Sequence, residues 1–288
     1  MKIKVEATPK PRAQKVDLEP FVAAMRAEPG RRPNLAKVAT DGTPAFEGDK
    51  KAARRELRKL RRELFDFQTK LWAERKHSML IVLQAMDAGG KDGTIRKVFA
   101  AFDPQGAVVT GFGVPSEEEL DHDFLWRIHQ HAPGDGRIGI FNRSHYEDVL
   151  VVRVAELAPE SVWRPRYQAI REWERGLVAE GTTILKFMLH ISRDEQRRRF
   201  QKRIDRPSKR WKFSEGDLGV RQHWDDYMDA YADAIEQTST DDAPWFVIPA
   251  DHKWYRDLAV ARIVTAAARR MRPKYPRRPE LDGFEIPR

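Results

Sequence analysis

Met79-Leu80-Ile81-Val82-Leu83-Gln84-Ala85-Met86-Asp87-Ala88-Gly89-Gly90-Lys91-Asp92-Gly93-Thr94-Ile95 is the stretch on which the reading of this chain turns. It opens with apolar and β-branched residues, the composition of a parallel strand buried on both faces. Two adjacent glycines and a lysine then make a turn, and Thr94-Ile95-Arg96-Lys97-Val98-Phe99 starts a helix. Strand, Gly-rich turn with lysine, and helix is the layout of a phosphate cradle. Turn N–H groups face anionic oxygens, the helix N-terminus adds positive potential, and Lys91 supplies a point charge. The usual spacing is G-x-x-x-x-G-K-[ST]. Here Ala85 replaces the first glycine, Asp92 replaces the hydroxyl residue, and Asp87 puts a carboxylate inside the loop. On this reading Ala88, Gly89, Gly90, Lys91, Asp92, Gly93 and Thr94 bind substrate phosphate.

Outward from that stretch, the pattern predicts four more strands: 107–113, 137–141, 183–190 and 245–250. Strands alternating with helices argue for an α/β fold with a parallel sheet covered on both faces. Before the loop, Leu57, Leu60, Leu64, Phe67 and Leu71 recur every three or four residues, one face of a helix over 50–76. The other faces carry Lys50, Lys51, Arg54, Arg58 and Arg61, a solvated surface or one wall of an anion-binding groove. A short helix is expected at 18–27. Ser116 and Glu119 have capping-box spacing, and Ser192 caps a basic helix. Single helices are expected over 159–180, 217–237 and 254–272. The domain plan is an N-terminal arm (1–48), one phosphate-loop domain (49–272) and a basic C-terminal tail (273–288).

The chain has 288 residues, 53 Lys and Arg against 44 Asp and Glu, and no cysteine. A net charge of +9 implies anionic partners. Without cysteine there are no disulfides or thiolate metal sites, which fits a cytoplasmic setting. No apolar run approaches the roughly 20 residues of a membrane span, and no signal-peptide pattern opens the chain.

Three further features carry chemistry. A carboxylate beside a polyphosphate-like anion is repelled by several kcal/mol at low effective dielectric, unless a cation lies between them. Asp87 is therefore expected to organise a divalent cation or orient an attacking phosphate. Glu147 and Asp148, beyond the third strand, are further metal ligands in this reading, the strand itself ending in an amide, Asn142. Nine of the sixteen residues in Arg197-Arg198-Arg199-Phe200-Gln201-Lys202-Arg203-Ile204-Asp205-Arg206-Pro207-Ser208-Lys209-Arg210-Trp211-Lys212 are basic. That much like charge asks for an anion, and Pro207 breaks the helix, so 197–222 reads as a helical lid over phosphates. Arg143 belongs to the same strand-end crevice.

Together, Ala85 to Gly93, Phe112-Gly113-Val114-Pro115, Phe141 to Asp148 and Asp205 to Lys212 resemble the polyphosphate kinase 2 family over about residues 45–270. The resemblance implies a phosphate-loop α/β domain related to thymidylate kinase, with a helical lid. It implies phosphoryl transfer between inorganic polyphosphate and a nucleotide, with magnesium (manganese as an alternative). Carried over, Asp87 and Lys91 match the loop aspartate and lysine of the family. Arg143 matches its arginine after strand three, and Arg199, Arg203, Lys209 and Lys212 its lid cations. Many members have Asp at the place of Asn142 and Asn at the place of Glu147. The Asn and Glu combination, with His145, resembles the class that accepts both AMP and ADP, and moves the role of the strand-three aspartate to Glu147.

The expected activity is reversible transfer from polyphosphate to AMP and ADP, giving ADP and ATP. Asp87, Lys91, Arg143 and Glu147 would be catalytic. A homo-oligomer is expected, built through the 50–76 helix and the arm, with neither nucleic acid nor membrane as partner. Two other readings stay open on the residues alone. One is an ATP-dependent nucleoside monophosphate kinase of thymidylate-kinase type. The other is a non-catalytic nucleic-acid-binding phosphate-loop protein.

Overall fold

The apolar run at 79–83 becomes the middle of a sheet. The computed structural model describes residues 17–286; the first sixteen residues of the expected arm and the last two of the expected tail lie outside them. Five strands run parallel: β1 (Ser78–Gln84), β2 (Ala107–Gly111), β3 (Ile138–Asn142), β4 (Thr182–His190) and β5 (Trp245–Pro249). Their order is β2-β3-β1-β4-β5. Flanked on both sides, every residue of β1 is buried, so an unbroken apolar run rather than an alternating one serves it. Leu83 lies opposite Asn142 on β3 and Phe187 on β4. The chain leaves β1 toward β3 and β2 on one side and reaches β4 and β5 on the other. This reversal opens a crevice beyond the carboxyl end of β1, where open α/β sheets bind ligands.

The main helices are α1 (Glu19–Met25), α2 (Lys50–Glu74), α3 (Lys91–Val98), α4 (Glu147–Val154), α5 (Arg166–Ala179), α6 (Arg193–Ile204), α7 (Gly216–Gln222), α8 (Trp224–Thr238) and α9 (Lys253–Met271). One layer joins α1, α2, α3 and α9, and the other joins α4, α5 and α8. The right-handed crossovers expected of parallel strands would place these layers on opposite faces of the sheet. Among the described residues, no helix is long and apolar enough to cross a membrane.

α2 shows how its sequence divides the labour. Asp49 accepts from the Ala52 N–H at 2.7 Å and starts the helix. Leu60, Leu64, Phe67 and Leu71 are buried. This apolar face packs inside the subunit against α9. Arg262 and Arg269 of α9 reach Glu56 and Glu63 of α2, each at 2.7 Å. Leu57, expected with the apolar face, is half-buried against the core and also lines the crevice. Leu18, Phe21, Val22, Met25 and Leu35 are core residues, and Arg26 bridges Phe246 beside β5.

Two expected helices are broken. Pro165 splits 159–180 into a turn at Glu160–Trp163 and α5, because its ring removes an amide. The span 217–237 divides at His223 into α7 and α8. Both expected caps form: Ser116 and Glu119 bond each other's amides, and Ser192 accepts from Glu195 N–H at 3.0 Å.

Candidate active site

Between β1 and α3 the backbone turns through Ala88 at φ 59° and Gly90 at φ 114°. Gly89 has no room for a side chain: a β-carbon would lie 2.4 Å from Ala85 Cβ and 2.7 Å from Met86 O. The Gly89 N–H closes on Met86 O at 2.8 Å. Among the described residues nothing accepts from the N–H groups of Gly90, Lys91, Asp92 or Gly93. Left-handed residues on either side of Gly89, with free amides beyond them, have the backbone pattern of a nest, which suits an anion, at a helix N-terminus.

Arg199 holds this loop from behind. Its Nη1 donates to Ala88 O (2.9 Å) and Gly89 O (2.8 Å), its Nη2 to Ala250 O (2.6 Å) and its Nε to Glu195 (2.8 Å). The side chain is 6% exposed. Expected as a lid cation for phosphate, it is placed on loop carbonyls, leaving the amide side of the loop open. Gln196 adds a bond from Nε2 to Asp87 O at 3.0 Å.

The carboxylates and cations of the loop meet those beyond β3. Arg143, at φ 63°, donates from Nη2 to Asp87 Oδ1 at 3.2 Å. Lys91 Nζ donates to Ala85 O at 2.7 Å. Burial and the nearby Arg143 push the Lys91 ammonium below its ordinary value, against the pull of Asp87, Glu147 and Asp92. Burial opposes the charge on Arg143 too, but Glu147 and Asp87 outweigh it and hold its pKa above the ordinary value. Asp87, Lys91, Arg143 and Glu147 thus share one electrostatic neighbourhood. Tyr227 of α8 faces it: burial, then Glu147 and Asp87, push its hydroxyl up to about 12.

Two residues expected here are placed elsewhere. Asp148 accepts from Arg166 Nη1 at 3.1 Å, and burial raises its carboxyl to about 6. Glu147 and Asp148 are neighbours on a helix, so their side chains diverge, and only Glu147 acts on Arg143 and Lys91. Thr94 is fully buried with its hydroxyl unpartnered, one residue past the amides it was grouped with.

The segment expected as a lid folds as α6, a 3-10 turn at Pro207–Lys212, and α7. Lys212 Nζ reaches Asp92 Oδ2 at 2.9 Å, and Asn142 Nδ2 donates to Asp92 Oδ1 at 3.1 Å. An amide at 142 can donate where a second carboxylate would repel. Burial works against the Asp92 charge, but these two bonds hold its carboxyl below the ordinary range. Arg203 Nη1 donates to Lys212 O at 3.0 Å and lies 3.6 Å from Asp217. Arg203, Lys209 and Lys212 all line the cleft.

The cleft has a volume of about 1410 Å³ and spans both sides of the loop. Toward β2 and β3 lie Gly111, Phe112, Gly113 and Asn142. Toward β5 lie Lys50, Arg54, Arg58 and Arg61 of α2, Lys97 of α3, and Lys253 and Arg256 of α9. The first turns of α2 and α9 hold no acidic residue. Cations there oppose the helix dipole, so they cost free energy unless an anion is present. Sequence reading passes over Lys97, Lys253, Arg256, Asp217 and Tyr227. The one legible signal was the basic start of α9, since Lys253 and Arg256 stand where acids are favoured.

The model of the family described as polyphosphate kinase 2 (PPK2) matches residues 47–276. The chain belongs to the polyphosphate kinase 2 family. It is 55% identical over 261 residues to a Meiothermus ruber protein named AMP/ADP-polyphosphate phosphotransferase, covering 91% of this chain and 97% of that one. It is 45% identical to the ADP-polyphosphate phosphotransferase of Rhodopseudomonas palustris, covering 87% of this chain and 91% of that one. The crystal structure of Polyphosphate Kinase 2 from Arthrobacter aurescens TC1 superposes with a TM-score of 0.87 at 42% identity, covering 92% of this chain and 93% of that one. The parallel sheet of this PPK2 chain, with its helices on both faces, is therefore shared with a solved member.

Proposed function

We propose that this chain transfers a phosphoryl group from inorganic polyphosphate to AMP and to ADP, reversibly. One observation carries the reading: the N-termini of α2 and α9, neither with an acidic residue in its first turn, bring cations against their own dipoles to the cleft where the Gly-rich loop opens. One triphosphate does not need that density, whereas a polyanion lying along the β5 side does. The similarity to phosphotransferases named for polyphosphate and for AMP or ADP supports the same conclusion.

Polyphosphate lies along Lys50, Arg54, Arg58 and Lys97, with its terminal phosphoryl group on the Gly90–Gly93 amides. The nucleotide enters on the β2 and β3 side, its phosphate facing Arg143. Lys91 leaves the Ala85 carbonyl to follow the transferring group. The transition state needs alignment and cations rather than a base, because the attacking phosphate oxygen is already ionised. The lid cations Lys209 and Lys212 close over it.

Magnesium fits the carboxylates present. It takes hard oxygen donors, commonly one or two carboxylates completed by phosphates and water. Asp87 and Glu147 supply two such groups beside the nest. Among the described residues, no cluster of three or more candidate ligands forms a complete protein-only site. When bound, the ion would neutralise charge between the two phosphates. Asp87 and Glu147 would hold it while Arg143 keeps the Asp87 carboxylate oriented. The test is ATP formation, followed by luciferase, from ADP, polyphosphate and magnesium. No product from ADP, and no ADP from AMP, overturns the reading.

A further inference from the structure

Arg256 is 2% exposed, in the first turn of α9, at the floor of the cleft. Its Nε and Nη2 both donate to one oxygen, Asp257 Oδ1, at 3.0 and 2.6 Å. Among the described residues nothing accepts from its Nη1. That nitrogen lies over the loop: a β-carbon on Gly90 would sit 1.9 Å from it, and one on Gly93 would sit 3.0 Å from Nη2. Arg199 Nη1 flanks the same glycine, 3.5 Å from the same β-carbon position.

The two arginines differ in what they do with their donors. Arg199 spends its N–H groups on protein carbonyls, as a structural guanidinium does. Arg256 spends Nε and Nη2 on a single carboxylate and leaves the end nearest the nest unused. Arg256 lines the cleft, so its unused end is open to a ligand there, while two guanidinium groups on one glycine repel each other. An anion on the loop relieves that repulsion and supplies the missing acceptor.

We propose that Arg256 binds substrate phosphate directly. Its Nη1 donates to a non-bridging oxygen of the phosphoryl group held by the Gly90–Gly93 amides, and Asp257 aims the guanidinium. Since α9 follows β5, the ligand is the terminal phosphate of the polyphosphate chain rather than the nucleotide, a statement that rests on the function proposed above. Gly90 and Gly93 are then glycine partly to give this arginine room.

The test compares wild type with Arg256→Lys, Arg256→Gln and Asp257→Asn. A charge-assisted hydrogen bond is lost, so KM for polyphosphate should rise about tenfold or more in both Arg256 variants while KM for ADP moves by less than roughly twofold. Asp257→Asn should fall between them and wild type. Equal changes in the two KM values, or none, overturn the assignment. Calorimetric binding of inorganic tripolyphosphate to the same proteins needs no turnover: unchanged affinity in Arg256→Lys overturns this assignment even if wild type makes no ATP, a result that would instead sink the proposed activity. If the variants do not fold, a crystal structure of wild type with tripolyphosphate decides. A phosphoryl oxygen within hydrogen-bond distance of Nη1 is expected, and its absence overturns the proposal.

Discussion

Lys212 of the lid and Asp92 of the Gly-rich loop form an ion pair at 2.9 Å, fastening the segment after α6 to the start of α3. The Asp92 side chain is half exposed, so the pair adds little to overall stability. Its effect is local. Asp92→Ala should leave the unfolding midpoint nearly unchanged but speed amide exchange across 207–212. Hydrogen-exchange mass spectrometry reads this directly, and unaltered exchange there would show that the lid is held by other contacts.

Lys91 is the mobile charge of the loop in the proposed mechanism. Lys91→Ala should reduce turnover by about 10²–10³-fold, the usual effect of removing one preorganised electrostatic contact. Circular dichroism should show the fold retained. Near-normal rates in a folded variant would remove the loop from the chemistry.

Polyphosphate bound along α2 and α9 should release counterions as nucleic acids do on binding proteins. Raising salt should therefore increase KM for long polyphosphate more steeply than KM for ADP. Parallel slopes in initial-rate measurements would argue against the basic wall as its seat.

Behind the site, Lys186 Nζ lies 2.5 Å from Glu174 Oε2, both fully buried, and Tyr146 donates to Glu174 Oε1 at 2.9 Å. Lys186→Met leaves the buried Glu174 carboxylate without its ammonium partner and should cost about 3–5 kcal/mol. The double variant with Glu174→Gln should recover much of that. Chemical denaturation of the two proteins distinguishes a true ion pair from a packing defect, which the second change would not repair.

His190 donates from Nε2 to Leu35 O at 3.0 Å, and Asp251 is the carboxylate facing it. Burial holds its imidazole below the ordinary 6.5 despite those two partners. A depressed histidine contributes stability that is present above its unfolded pKa and lost as pH falls through the folded one. Stability should decline below pH of about 6.5, and less steeply in His190→Gln. Identical pH profiles for the two proteins would contradict this.

Much of the site was written locally. β1, the glycine turn and α3 are contiguous, and parallel strands buried on both faces carry an unmistakable apolar run. Arg143 and Glu147 follow β3 directly, so any parallel pairing of β3 with β1 delivers them to Asp87. Helix capping at Ser116 and Ser192 is likewise decided within four residues.

What tertiary structure decided are the contacts between segments distant in the chain. Nothing near Arg199 in sequence says that its guanidinium will be spent on the carbonyls of Ala88 and Gly89. The family resemblance counts it among the lid cations, and packing of α6 under the loop takes it away from them. Asp148 and Glu147 are the same chemistry one residue apart, and only the rotation of α4 sends one to Arg166 and sets the other beside Arg143 and Lys91. Arg256 is an unremarked arginine in an apolar helix until β5 places α9 beside Gly90. The sequence by itself determined the strand, the turn and the charge of the cleft, because those depend on neighbours along the chain. Which cations stay free for an anion depends on which acceptors the fold brings within about 3 Å, and that only the assembled sheet and its two helical layers determine.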